Sequence, residues 1–340
     1  MYALLRPLLF ALPPETAHAA ALGALAIGRP LVRLALPRPP ARPRRVLGLE
    51  FPNPVGLAAG LDKDGRHLPA LAALGFGFVE VGTVTPRPQP GNPPPRLFRL
   101  AAHEALINRM GFNNEGAEAL ARRLERRPFP GILGINVGRN RDTPNEQAAE
   151  DCRRCMERLF PFASYLVVNL SSPNSPGLRA LQAAESLRRL AGELLDARER
   201  LAARHRRRVP LLFKLAPDLE PGEIEAIAAV VSELALEGLV LTNTTVAREG
   251  LEDEPLAPGS AGGLSGRPLR ARAEAVLRAF RERLGPGPAL IGVGGIASGA
   301  DAAARFAAGA DLIQLYTGLV YRGPRLIAEC VRAAPPDPRA

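Results

Sequence analysis

From residue 46 onward the chain repeats one pattern: a short apolar run, a polar turn, then a stretch with helical spacing. The apolar runs are Val55–Leu61, Phe78–Thr85, Gly131–Gly138, Tyr165–Ser172, Pro210–Pro217, Gly238–Thr245, Ala289–Ile296 and Asp311–Gly318. Helical patterns fill most of the gaps, for example Ala180–Arg208 and Pro221–Leu236. Strands alternating with helices predict a parallel sheet, and eight such units predict an α/β fold, a closed (β/α)8 TIM barrel. An open doubly wound sheet would leave some of these runs at an edge, and all are too apolar for that. Function in such barrels sits at the C-terminal ends of the strands. The polar residues fall there: Lys63, Thr83, Asn136, Asn169 with Ser171 and Ser172, Lys214, Thr242-Asn243-Thr244, Gly294-Gly295, and Tyr316-Thr317-Gly318. Polar strand ends in register predict a lined pocket.

The first forty residues follow another pattern. Tyr2 to Leu36 is apolar with sparse charge: 13 uncharged residues separate Glu15 from Arg29, and eight separate Arg6 from Glu15. Both stretches fall short of the roughly 18–20 apolar residues that span a bilayer. Ala17-His-Ala19 resembles a signal cleavage site, but the run before it is short and broken by Pro13-Pro14. The pattern predicts two short helices on either side of that break. Leu4, Leu5, Leu8 and Leu9 share a face of the first; Leu22, Leu25 and Ala26 share a face of the second, with His18 nearby. Arg6, Arg29 and Arg33 are placed to reach lipid phosphates, the arrangement of a helical segment lying on a membrane surface. A helical cap docked on the main domain is the competing reading. The expected organisation is therefore a helical extension over residues 1–36, a Pro/Arg linker over 37–45, and the barrel over 46–340.

Composition adds one sharp observation. Of 44 basic residues, only Lys63 and Lys214 are lysine. Where arginine has replaced lysine almost everywhere, the two survivors mark positions that need a compact ammonium on a flexible stem rather than a planar guanidinium. The rest is ordinary for a soluble globular protein, with 46% apolar and 23% charged residues. The net charge of +10 invites nucleic acid or an anionic membrane. Clusters such as Arg204-His-Arg-Arg-Arg208 read as solvated helix ends, and the absence of Trp removes the aromatic interleaving of a single-strand binder. No nucleic-acid partner is expected. Cys152 and Cys155 form a C-x-x-C within a helical stretch, with no second pair and no nearby His, so they read as free thiols and no metal site is expected.

Glycines cluster near the last strands, in Gly262-Gly-Leu-Ser-Gly266, Gly292-Val-Gly-Gly295 and Thr317-Gly318. Loops there commonly cradle a phosphate. Asn169-Leu-Ser-Ser-Pro-Asn174, with Asn108 and Asn243, supplies paired donors and acceptors suited to a planar ligand with alternating amide groups. No His or carboxylate stands beside them to act as a base. Asp62 and Asp64 precede a turn, so Ser172 or a lysine is left for acid–base work.

Residues 46–327 resemble the dihydroorotate dehydrogenase family of FMN-dependent enzymes of pyrimidine synthesis. The resemblance rests on Ala58-Ala-Gly-Leu-Asp-Lys-Asp-Gly65, Val81-Gly-Thr-Val-Thr-Pro86, Asn108-Arg-Met-Gly-Phe112, Gly134-Ile-Asn-Val-Gly138, Asn169-Leu-Ser-Ser-Pro-Asn174, Thr242-Asn-Thr-Thr245, Gly262-Gly-Leu-Ser-Gly266 and Gly292-Val-Gly-Gly-Ile296. Ser172 and the helical extension resemble the quinone-dependent division, which uses a serine base and carries such an extension. The resemblance implies oxidation of (S)-dihydroorotate to orotate, with a hydride passed to FMN and electrons then passed to a membrane quinone. It implies Ser172 as the base. It implies FMN contacts at Ala59, Gly60, Thr83, Asn136, Asn169, Lys214, Thr242, Gly266, Gly295, Tyr316 and Thr317, with Lys214 facing the flavin ring. Substrate contacts would come from Lys63, Asn108, Arg109, Met110, Gly111, Phe112, Asn169, Asn174, Asn243 and Thr244. His18, Arg99 and Tyr316 would stand on the quinone side, and the protein would sit peripherally on the cytoplasmic face of the cell membrane. Another FMN barrel, such as a tRNA dihydrouridine synthase, is the alternative; that type uses a loop cysteine as its acid, and this chain has none there.

Overall fold

A computed structural model describes residues 2–36, 38–252, 254 and 259–337. Eight parallel strands close into a barrel: β1 (Val55–Leu57), β2 (Phe78–Val84), β3 (Ile132–Val137), β4 (Tyr165–Asn169), β5 (Leu211–Leu215), β6 (Gly238–Leu241), β7 (Ala289–Val293) and β8 (Leu312–Leu315). Their order around the barrel follows the chain, and β8 returns to β1 through Ile313 opposite Val55 and Leu315 opposite Leu57. The strands are shorter than the apolar runs that predicted them, because the last residues of each run leave the ladder to line the barrel mouth. Helices cover the outside with apolar stripes. The longest, Ala184–His205, buries Leu187, Leu190, Ala191, Leu194 and Leu201 at helical spacing.

The barrel interior is a second, separate core. Phe51, Phe78, Tyr165, Val167, Leu212, Val240, Ile291 and Leu312 pack together near the N-terminal ends of the strands. Large rings fit because small residues face them. A Cβ on Gly56 would lie 2.3 Å from the Phe78 ring, and one on Gly134 would lie 2.2 Å from the Tyr165 ring. A hairpin, Arg44–Val46 paired with Leu49–Phe51, plugs this end and sets Phe51 edge-on to Phe78 with ring centres 5.1 Å apart. The hairpin takes up Arg44 and Arg45 from the stretch expected as a linker. Arg44 donates to the carbonyls of Asp311 (3.0 Å) and Pro335 (2.7 Å).

Two expectations change. The Gly262–Gly266 segment, read as a loop, is largely a strand: Gly263–Gly266 joins Ala105–Asn108 and Leu97–Leu100 in an antiparallel sheet, with Gly263 opposite Asn108. Glycine-rich sequence concealed it, since β propensity is weak there. The extension holds three helices rather than two: α1 (Tyr2–Ala11), α2 (Pro14–Ile27) and α3 (Arg29–Ala35). The added break falls at Gly28–Pro30, where proline lacks the N–H that would continue the ladder.

The extension is docked and also presents an apolar face. Leu22 is buried in the main core and Leu25 packs against it, while Leu4, Leu5, Leu8, Ile27 and Leu31 are exposed. Arg6 turns inward and donates to the Tyr321 carbonyl at 3.1 Å, so it is not free for lipid. Arg29 is exposed, and the Arg33 side chain lies outside the described residues. Phe10 meets Tyr321 edge-on at 5.3 Å. Glu15 of α2 binds Arg96 at 3.0 Å.

The plug gives a test. Phe51 is fully buried, so Phe51→Ala should lower unfolding free energy by about 3–5 kcal/mol. Chemical denaturation measures this, and a loss below about 1 kcal/mol would show that the hairpin does not seal the interior.

Candidate active site

The barrel mouth opens into a cavity lined by residues from the strand ends and by the antiparallel sheet. Both lysines reach it. Lys214 lies on β5, opposite Asn169 of β4. Burial draws its pKa below the ordinary lysine range, and Glu80 acts in the other direction. Lys63 follows β1 and donates to the Gly60 carbonyl at 3.0 Å. Burial lowers its pKa to about 8, against the raising pull of Asp64. Asp62 is a turn former, as its position suggests: it accepts the backbone N–H groups of Arg66 (2.9 Å) and His67 (2.7 Å).

Ser172 is buried at the cavity wall, and its Oγ accepts the backbone N–H of Asn174 at 3.2 Å. Asn174 in turn donates through Nδ2 to Asn108 Oδ1 at 3.0 Å. Arg179 ties the serine segment to the next loop by donating to the carbonyls of Ser171 (3.1 Å) and Thr244 (2.8 Å) while pairing with Asp218 at 2.8 Å. Beneath them a polar row crosses the floor. Asn136 donates to Glu80 (2.9 Å), Thr83 to Asn136 (2.6 Å), Asn169 to Thr83 (2.8 Å), and Asn243 to Asn169 (3.3 Å).

At the other end lie Gly266, Gly295, Tyr316 and Thr317. Gly266 and Gly295 have φ of +95° and +72°, and a Cβ there would lie 2.2 Å from the Glu104 oxygen or 2.4 Å from the Arg270 Cα. Only glycine fits both the angle and the space. Arg305, fully buried, holds this turn by donating to the carbonyls of Val293 (3.3 Å), Gly294 (2.9 Å) and Arg270 (3.2 Å). Burial lowers its pKa to about 10.

The structure brings most sequence candidates to one cavity: Ala59, Gly60, Lys63, Thr83, Asn108, Met110, Gly111, Phe112, Asn169, Ser172, Asn174, Lys214, Thr242, Asn243, Thr244, Gly266, Gly295, Tyr316 and Thr317 all line it. Four others stand outside its lining. Asn136 lies below the floor, behind Thr83. The Arg109 side chain reaches the Gly259 carbonyl at 3.1 Å. His18 sits near Lys63 and His67; burial and then those two neighbours lower its pKa to about 4, so it is neutral at pH 7. Arg99 lies 4.8 Å over the Phe10 ring and donates to the Leu9 carbonyl. Glu80, Gln314, Arg179 and Arg305 escaped sequence reading. The two arginines carried no signal among so many, and Glu80 sits inside an apolar run. Cys152, Cys155 and Cys330 are buried away from the cavity, and burial pushes the Cys152 thiol up to about 12.

Known proteins match along nearly the whole chain. A sequence model of the dihydroorotate dehydrogenase family matches residues 43–333. A protein of Flavobacterium lutescens named dihydroorotate dehydrogenase (quinone) is 56% identical over 98% of this chain and 96% of its own. One of Alkalilimnicola ehrlichii with the same name is 54% identical over 99% of this chain and all of its own. Among solved structures, the Eimeria tenella DHODH in complex with ferulenol superposes with a TM-score of 0.85 at 39% identity, covering 94% of this chain and 90% of that one. With matched motifs gathered in one cavity and a family match that spans the barrel, this chain belongs to the dihydroorotate dehydrogenase family.

Proposed function

We propose that this chain oxidises (S)-dihydroorotate to orotate in pyrimidine biosynthesis, using FMN as the first acceptor and a membrane quinone as the second. The observation that carries this reading is the cavity itself: a buried serine at one wall, two desolvated lysines, and a glycine cradle, with matching relatives named as quinone-dependent dihydroorotate dehydrogenases.

The residues fit a flavin mononucleotide. The positive-φ glycines 266 and 295 leave space a side chain would fill, beside Tyr316 and Thr317, and would hold the phosphate end. Among the described residues, two buried oxygens on the cavity wall, Gln314 Oε1 and Thr244 Oγ1, have no hydrogen-bond partner and await one. Ala59, Gly60, Thr83, Asn169, Lys214 and Thr242 would surround the ring, with Asn136 supporting from below. When bound, FMN accepts the hydride and passes electrons onward.

The chain supplies the rest. Ser172 Oγ removes the proton from C5 of the substrate. A neutral serine is a poor base, so Ser172 has to give up its own hydroxyl proton toward solvent as it takes the C5 proton; the Asn174 N–H bound to the buried Oγ stabilises the partial negative charge that the departing hydroxyl proton leaves there. Lys63, Asn108, Asn174, Asn243 and Thr244, with the Met110–Phe112 backbone, hold the planar ring and its carboxylate. Arg109 contributes through its main chain, whose N–H donates to Arg96. Lys214 provides a fixed cation against the charge developed by hydride transfer. The Pro173–Gly177 loop closes over Ser172 and keeps water out.

The exposed leucines of α1 and Ile27 and Leu31 form a surface for lipid, with no helix among the described residues long and apolar enough to cross a membrane. Neutral His18 of the extension, Arg99 beside it, and Tyr316 on the cavity wall would mark the quinone's route. On this reading the protein is a peripheral membrane enzyme, with the cytoplasmic side carried only by its resemblance to the quinone-dependent division. A dihydrouridine synthase reading finds no thiol at the cavity.

Three outcomes test this. Ser172→Ala should keep its flavin while stopped-flow reduction by dihydroorotate slows by roughly 10²–10⁴; an unchanged rate would remove Ser172 from the chemistry, and Ser172→Cys should retain part of the rate. Lys63 is charged below about pH 8 and neutral above it, so affinity for anionic orotate should weaken as pH rises through 8. Titrations across pH 6–10 should show that limb vanish in Lys63→Gln. Deleting residues 1–40 should abolish vesicle binding and quinone reduction together, while flavin reduction persists at a higher KM because Arg96 loses Glu15. Parental rates with a long-tailed quinone in vesicles would reduce the extension to a cap.

A further inference from the structure

Ser172 and the pair Asn243–Thr244 line the cavity from two different loops, one after β4 and one after β6. In the reading above, the first takes a proton and the second holds the ring that gives it. The two have to stay in register, because a misplacement of about 1 Å can cost on the order of 10²-fold in rate. Side chains join the loops on the cavity side: Asn243 Nδ2 reaches Ser171 Oγ at 2.9 Å. That bond fixes a hydroxyl and an amide, both on rotatable stems. The main chain that carries Ser172 needs a hold of its own.

Arg179 supplies it from behind the wall. It is absent from the cavity lining and sits on the short turn Leu178–Gln182 that follows the serine loop. Leu178 and Leu181 are buried under that turn, and Gln182 Oε1 accepts the Ala216 N–H at 2.7 Å, which pins it to the end of β5. From there each nitrogen of the guanidinium meets a different loop. Nε donates to the Ser171 carbonyl at 3.1 Å, Nη2 to the Thr244 carbonyl at 2.8 Å, and Nη1 to Asp218, just past β5, at 2.8 Å. Among the described residues no other hydrogen bond reaches either carbonyl. The Ser171 carbonyl shares its peptide group with the N–H of Ser172, so holding it holds the serine backbone. Asp218 is itself fixed, by the Thr245 hydroxyl and by the Val246 N–H at 3.0 Å. Three partners on three loops suit a rigid fork; a lysine is a single point charge.

We propose that Arg179 is a positioning residue for the removal of the C5 proton. By bridging the main chains of Ser171 and Thr244, it keeps Ser172 Oγ in register with the ring that Asn243 and Thr244 hold. This rests on the dihydroorotate reading above.

A double-mutant cycle separates this role from a merely structural one, since a residue that acts through Ser172 has nothing to act on once the serine is gone. Asp218 keeps a second cation, Arg272 at 3.7 Å, so replacing Arg179 does not strand its charge. Flavin reduction at saturating dihydroorotate is measured by stopped flow, and FMN affinity by fluorescence titration of apoprotein. Arg179→Gln should slow reduction at least tenfold and leave FMN affinity within twofold, because the glycine cradle lies on other loops. In the Ser172→Ala background the same change should alter the residual rate less than twofold. Arg179→Lys keeps the charge but cannot span three partners, and it should remain at least fivefold slow. A parental rate in Arg179→Gln, or an equal loss with and without the Ser172 hydroxyl, would overturn the proposal. If Arg179→Gln does not fold, Arg179→Lys carries the same cycle with the same criteria; if neither folds, Arg179 is a structural residue and the proposal fails. A parent protein whose flavin dihydroorotate does not reduce would instead sink the functional reading.

Discussion

Placing a carboxylate in the middle of a closed barrel constrains the side chains that meet it. Glu80 has no access to water, so its lone pairs have to be met by donors from other strands. They come from β3, β4 and β8, one each from Asn136, Tyr165 and Gln314. A polar layer thus separates two regions of one interior. Below it, Phe51, Phe78 and Tyr165 pack as an apolar plug; above it, asparagines, threonines and lysines face a ligand-sized space. The plug keeps water from the carboxylate, and the carboxylate accepts from the amides of Asn136 and Gln314. A buried polar network is useful only when nearly every member is satisfied, and the members left over here, Gln314 Oε1 and Thr244 Oγ1, are on the cavity wall.

Much of this was legible because a barrel writes its function at strand ends. Period and turn spacing identify eight strands, and the polar residue closing each run, from Lys63 to Thr317, points to one mouth. The lysines were readable for a different reason, as exceptions in an arginine-rich chain. What sequence could not show was anything depending on partners distant along the chain. Glu80 and Gln314 look like breaks in apolar strands until the barrel brings them within 2.6 Å. Arg305 and Arg179 are two arginines among many until their carbonyl partners appear. The Gly263–Gly266 strand exists only because Ala105–Asn108 is there to pair with it. The third helix of the extension was missed although its proline was in plain view, because a continuous apolar stretch outweighed it.

The N-terminal helices dock on the barrel and also keep an exposed apolar face. Leu22, Phe10 and Arg6 attach them to the main body, while Leu4, Leu8 and Ile27 face outward. Glu15 reaches Arg96, which also donates to the carbonyls of Pro90 (2.7 Å) and Asn92 (3.0 Å). Asn92 donates to the carbonyl of Arg109 at 2.8 Å. One ion pair therefore joins the helical extension to the Asn108–Met110 segment at the cavity.

The seam between β8 and β1 has a consequence for how the molecule comes into being. Ile313 and Val55 stand near opposite ends of the chain, and so do Thr317 and Gly60 on the cavity wall. During synthesis the first seven strands can gather, but the ring stays open until the eighth has left the ribosome. Contacts of such long sequence separation form late. Until then the sheet has two unpaired edges and the pocket lacks the wall that Gln314, Tyr316 and Thr317 supply. It becomes able to retain a ligand only in the last moments of its making, when one short strand closes the ring.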